Sequence, residues 1–118
     1  MGNVLIIDDE LDICFLLSKI IQKKGWEVDF ENNLTNGIKK IKEKKYDFIF
    51  LDLNLPDGYG MNFITLIKNH QPDSKIILIS AYDSDEERNT AQLKGADSFM
   101  GKPFSEVQVA NILKPASA

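Results

Sequence analysis

One cysteine, Cys14, cannot close an internal disulfide, so the fold must rest on a packed core. That usage suits a reducing compartment. No apolar run reaches transmembrane length, and the N-terminus lacks the basic and apolar regions of a secretory signal. A cytoplasmic protein with no membrane contact is expected. Basic excess is also missing. Lys and Arg number 14 against 18 Asp and Glu, giving a net charge of −4 and a pI near 4.9. Such a chain has little hold on nucleic acid phosphates or an anionic bilayer. The run Lys39-Lys40, Lys42, Lys44-Lys45 therefore reads as a solvated helix face. The only histidine, His70, is isolated near a helix end and reads as a surface residue.

What is present is an ordinary globular composition, 43% hydrophobic over 118 residues, enough for one domain and one core. Continuous apolar runs at Val4 to Ile7, Phe48 to Leu51 and Ile76 to Ile79 suit strands buried on both faces of a parallel sheet. Trp26 to Phe30 alternates like a half-exposed edge strand, and Ser98 to Met100 is a weaker fifth strand.

Helical patterns lie between them. Leu11 to Lys24 carries Ile13, Leu16, Leu17, Ile20 and Ile21 at helical spacing, and Gly25 stops it. Leu34 to Lys44 and Met61 to Asn69 follow, the latter closed by Pro72. Ser84 with Glu87, and Ser105 with Gln108, read as capping boxes opening two more helices, ended by Gly95 and Pro115. Five β-α units with right-handed crossovers make a doubly wound α/β domain over residues 1–114. Residues 115–118 read as a tail or the start of a linker, cut before a further domain or ending in added residues.

The chemistry gathers at strand ends. Asp8 and Asp9 end the first apolar run, Asp52 the third, Ser80 the fourth, and Lys102 follows the fifth. In open α/β sheets, sites form beyond the carboxyl ends of the strands. Any one of these residues alone would be a loop residue or a cap. Together they form a pocket of complementary groups. Three carboxylates and one lysine leave it net negative, which raises carboxylate pKa values. A Mg²⁺ ion cancels that charge, takes one or two carboxylates and leaves room for phosphate oxygens. The absence of His and Cys there disfavours zinc. A carboxylate so placed can act as a nucleophile and accept a phosphoryl group.

Several motifs now stand in order. They are Asp8-Asp9; Asp52 with Leu55-Pro56 and Gly60; Ser80-Ala81; Gly95-Ala96-Asp97; and Lys102-Pro103-Phe104. With them the chain resembles a response-regulator receiver domain of two-component signalling along essentially its whole length. The resemblance implies a flavodoxin-like sheet of five parallel strands, order 2-1-3-4-5, with five helices. It implies that Asp52 is the phosphoacceptor. Asp9, Asp52 and the backbone carbonyl of Asn54 would bind Mg²⁺, with Asp8 acting through a water.

Further roles come with the family. Lys102 would pair with the phosphoryl group, across a cis Lys102-Pro103 peptide. Ser80 would move toward that group, and Phe99 would swing inward behind it. The donor would be a histidine kinase or a histidine phosphotransfer protein. The output would be an attached C-terminal domain, a partner or a homodimer, reached through the fourth helix, fifth strand and fifth helix. Such a domain acts as no enzyme beyond its own phosphorylation and dephosphorylation. Phe99 lacks the hydroxyl of the frequent tyrosine, and Gly101 stands where a side chain is usual.

Two expectations go further. Tyr82, two residues past Ser80, and Asn54, two past Asp52, border the phosphoryl position and tune its lifetime, with Tyr82 obstructing the attacking water. Phe15 or Cys14 on the first helix belongs to a docking patch for the kinase. The competing class is a Mg²⁺-dependent phosphohydrolase with an aspartyl nucleophile. It typically carries Asp-x-Asp after the first strand and a cap domain. This chain has Asp8-Asp9-Glu10 there and no length for a cap.

Overall fold

The protein is seen here in a computed structural model that describes residues 2–114. Five strands alternate with five helices. They are β1 (Asn3–Ile7), α1 (Leu11–Lys23), β2 (Glu27–Glu31), α2 (Leu34–Glu43), β3 (Phe48–Asp52), α3 (Ile64–His70), β4 (Lys75–Ser80), α4 (Asp85–Lys94), β5 (Ser98–Gly101) and α5 (Glu106–Leu113). The five strands pair in parallel in the order β2-β1-β3-β4-β5, as expected. A separate antiparallel pair, Asn54–Leu55 against Gly58–Tyr59, lies outside this sheet; its two-residue strands are too short to leave a periodic signal in the sequence. The expected end of the last helix at Pro115 and the tail lie outside the described residues.

The apolar runs explain the layers. Successive strand residues point to opposite faces. Leu5, Ile7, Ile49, Leu51, Ile76 and Leu78 therefore meet α2 and α3 on one side. Val4, Ile6, Phe50, Ile77 and Ile79 meet α1 and α5 on the other. Each such side chain stabilises the fold by about 1.5–3 kcal/mol on full burial. β2 lies at the sheet edge and is only partly covered, which is why its sequence alternates. Trp26 stands just before it and packs edge-on against Phe48, centroids 5.2 Å apart.

Three local readings need correction. On α1 the buried stripe is Cys14, Leu17, Ser18, Ile20 and Ile21, while Leu16 is half exposed. Spacing alone left the helix rotation undetermined, because apolar residues occupy more than one face. The segment from Met61 starts as a 3₁₀ turn, Gly60–Phe63, and becomes α-helical only at Ile64. Finally, Ser84 caps α4 by accepting from Glu87 N–H, but the reciprocal bond is missing because Glu87 reaches elsewhere. Ser105 and Gln108 do form the full box on α5. Gly25 ends α1 as expected, at φ 91°, a left-handed conformation that favours glycine.

Candidate functional site

Parallel pairing puts every strand's carboxyl end on one edge of the sheet. β1 ends at Ile7, so Asp8 is the next residue out. β3 ends with Asp52 itself, β4 with Ser80, and β5 at Gly101, one residue before Lys102. The register pairs Ile7 with Leu51 and Ser80 with Gly101, which aligns the four ends. The chain direction around the sheet reverses between β1 and β3, so Asp8 and Asp52 flank the switch point.

The Lys102 ammonium organises the pocket. Its Nζ lies 3.0 Å from Asp8 Oδ2, 2.8 Å from Glu10 Oε1 and 3.6 Å from Asp52 Oδ2. The Lys102 backbone N–H donates to Ser80 O at 2.7 Å, and the Lys102-Pro103 peptide is cis. Asp8 is fully buried, and Asp52 is only 4% exposed. Glu10 N–H donates to Asp8 Oδ1 at 2.9 Å. Asp8 O in turn accepts from Asn32 Nδ2 at 2.8 Å and Cys14 Sγ at 3.3 Å. No sequence pattern distinguishes Glu10 within the Asp8-Asp9-Glu10 run.

Burial sets the titration. It pushes Asp52 up to about 7, with the Asp8 charge adding to the effect and Lys102 opposing it. Burial also raises Asp8, against the Glu10 N–H and Lys102 that lower it. For Lys102, burial favours the neutral amine, but the bonds to Glu10 and Asp8 outweigh it and hold the ammonium above its ordinary value. The pocket thus carries more negative charge than one lysine balances.

The segment after Asp52 is held tightly. Asn54 N–H points to Asp52 Oδ1 at 3.5 Å, and Asn54 pairs with Tyr59 across the short ladder. Gly60 N–H donates to Leu53 O at 2.6 Å. A Cβ at Gly60 would stand 2.5 Å from Asp52 O, so only glycine lets the chain pass there. Asp57 caps α2 from this segment, accepting from Leu34 N–H at 2.8 Å and Thr35 N–H at 2.9 Å. The Thr35 and Leu34 donors hold its carboxyl at about 2. Tyr59 OH donates to Glu87 Oε2 at 2.7 Å, and that bond raises the phenol to about 12.

On the other side of the pocket, Ser80 is buried and its Oγ accepts from Tyr82 N–H at 3.0 Å. Tyr82 is 73% exposed. Phe99 is partly buried, and the Arg88 guanidinium stacks on its ring at 4.8 Å. Arg88 also pairs with Asp83. A Cβ at Gly101 would meet Asp83 Oδ2 at 3.1 Å, so this glycine serves close packing.

The α1 expectation divides. Cys14 is buried and burial raises its thiol to about 11, so it belongs to the core, not to a docking patch. Phe15 is 53% exposed, packs perpendicular to the Phe30 ring at 5.7 Å, and shares α1 with half-exposed Leu11 and Leu16.

The residues present suit a hard divalent cation. Carboxylate oxygens of Asp8, Asp9 and Glu10 lie within 4.8 Å of one another, and the pocket offers oxygen donors of the kind Mg²⁺ and Ca²⁺ take. Among the described residues, Asp8 Oδ2, cut off from solvent, faces the Lys102 ammonium at 3.0 Å. With one cation already beside it, this carboxylate still has lone pairs that a divalent ion or its water could use.

A fully buried carboxylate, a second beside it and a lysine at three parallel strand ends define an α/β acidic-pocket protein of the doubly wound class. A profile for the response regulator receiver domain matches residues 4–114, and the chain belongs to that family. It is 36% identical to the chemotaxis protein CheY of Thermotoga maritima over 99% of both chains. It is 35% identical to the KDP operon transcriptional regulatory protein KdpE of Escherichia coli, covering 88% of this chain and 46% of that one. The chain spans about half the length of several such regulators it matches. Among solved structures, a response regulator of Burkholderia pseudomallei superposes with a TM-score of 0.90. The two are 27% identical, over 97% of this chain and 67% of that one. That structure carries a phosphorylated aspartic acid and a calcium ion. No helix among the described residues is long and apolar enough to cross a membrane.

Proposed function

We propose that this domain receives a phosphoryl group on Asp52 and passes the resulting charge change to an output surface. The observation that carries this is the buried Asp52 carboxylate beside Asp8 and 3.6 Å from the Lys102 ammonium. In the transfer, an Asp52 oxygen bonds to phosphorus as the P–N bond of a phosphohistidine breaks. The imidazole leaves with the electron pair and takes up a proton. Asp8, Asp9, Asp52 and the Asn54 carbonyl would hold Mg²⁺, with Asp8 through a water. Bound there, Mg²⁺ neutralises phosphoryl oxygens and relieves the repulsion among the carboxylates.

The chain's own groups do the rest. Lys102 faces both carboxylates and is placed to pair with the incoming phosphoryl oxygens. The phosphoryl group carries about −2 where the carboxylate carried −1, so it attracts donors. Ser80 supplies a hydroxyl from the adjacent strand end, and Phe99 follows it inward. Asn54 and Tyr82 border the site and tune the lifetime, Tyr82 by obstructing water. The domain catalyses only its own phosphorylation and dephosphorylation.

The donor is a histidine kinase or phosphotransfer protein in the cytoplasm, docking on the exposed Phe15, Leu11 and Leu16 of α1. Output runs through α4, β5 and α5 to a further domain, a partner or a second copy. The test is incubation with Mg²⁺ and acetyl phosphate, followed by intact-mass analysis. A single lasting phosphoryl adduct, lost in Asp52→Asn, is expected. Continuous release of phosphate without an adduct would favour a phosphohydrolase instead.

A further inference from the structure

We propose that Tyr59 and Glu87 are positioning residues that strap α4 to the acceptor loop and hold the domain in its unmodified state; this rests on the phosphoacceptor reading above. The strap is one side chain long. Tyr59 is paired through its backbone with Asn54, whose N–H faces Asp52. The Gly60 closure onto Leu53 fixes the segment on the following side. Tyr59 therefore cannot shift without moving Asn54. Its hydroxyl ends on Glu87, in the first turn of α4, at 2.7 Å.

Two features make this bond matter more than an ordinary surface contact. Glu87 forgoes the reciprocal half of a capping box to make it, leaving the Ser84 N–H without that partner. And α4 is lightly held. Only Ala91 is buried along its length, Leu93 is exposed, and its first turn carries Asp85, Glu86 and Glu87. With so little apolar burial, polar links set where the helix sits. The other links on α4, from Arg88 to Asp83 and Phe99, run within its own side of the pocket. Tyr59 reaches it from the acceptor loop.

The direction of the effect follows from Ser80. In the unmodified protein its hydroxyl oxygen accepts from Tyr82 N–H. Turning toward a phosphoryl group on Asp52 releases that N–H and loosens the segment from Tyr82 to Ser84, which leads straight into α4. The strap resists this movement. A bond made in one state and lost in the other favours the first, and its removal must strengthen whatever binds the second.

Beryllofluoride with Mg²⁺ serves as the phosphoryl mimic, titrated into the whole chain by NMR, with amide exchange of α4 measured alongside. Tyr59→Phe and Glu87→Ala should each bind it about threefold to tenfold tighter, the worth of one such hydrogen bond. The double variant should gain no more than either single one. Glu87→Gln keeps an acceptor and should stay near the unaltered protein. Exchange of α4 amides should quicken in Tyr59→Phe without ligand. Unchanged affinity in the single variants, additive gains, or α4 exchange that does not respond each overturns the strap. If the unaltered chain binds no beryllofluoride, the phosphoacceptor reading fails, and the exchange arm still decides whether Tyr59 holds α4.

Discussion

Asp52 and Asp8 pay for their position with a pH-dependent penalty on folding. Burial raises Asp52 to about 7, from 3.8 for the exposed group. Between those values the folded protein holds a proton that the unfolded chain has released. Stability therefore falls as pH rises through that window, and Asp8, also raised, adds the same sign. In metal-free protein, Asp52→Asn should gain on the order of 2 kcal/mol at pH 8 and little at pH 4. Urea melts at the two pH values check this, and equal gains would refute it. Lys102→Ala has the opposite consequence. It leaves Asp8 buried with no cation, and should cost about 3 kcal/mol at pH 8 by the same melts. Much of this was legible in sequence, because a charged residue after an apolar run marks a strand end. Glu10 was not. Only the distance to Lys102 Nζ shows that it competes for the ammonium.

At the scale of elements, the acceptor loop and α1 invite separate tests. Gly60→Ala would drive a Cβ into Asp52 O at 2.5 Å. It should destabilise the domain by about 2 kcal/mol and weaken Mg²⁺ binding, as thermal melts and a metal titration would show. On α1, Phe15→Ala removes an exposed ring. It should change stability little but slow transfer from a cognate phosphohistidine partner by about fivefold or more. An equal loss with acetyl phosphate would place the defect in the site and not in docking. The helices themselves show where sequence ran short. Their existence followed from apolar spacing and caps. The rotation of α1 did not, because Cys14 and Leu16 are both apolar and only packing against α5 and the sheet chose between them. The α4 cap failed for a related reason. Ser84-x-x-Glu87 is a sound local pattern, but Tyr59, distant in sequence, offers Glu87 a better donor.

For the whole molecule, the two cores lie on opposite faces of one continuous sheet, so neither can unfold alone. The fluorescence of Trp26, packed on Phe48 near the sheet end opposite the pocket, and far-UV circular dichroism should therefore report one coincident transition. Mg²⁺ should move both by the same amount, and more at pH 8 than at pH 5, since the carboxylates it relieves are charged at the higher pH. A shift in one signal alone would show two independently unfolding parts.

The alternation of strands and helices, the parallel sheet and the residues at its strand ends are all written in the order of the amino acids. These depend on near neighbours: apolar runs, helical spacing, caps and the charged residues that end the runs. Which groups meet is settled by the packed fold. The sheet order sets Asp8 beside Asp52, the β5 return brings Lys102 and Glu10 together across most of the chain, and Tyr59 takes Glu87 from its cap. Such contacts depend on relative strand position and helix rotation, which no local pattern specifies.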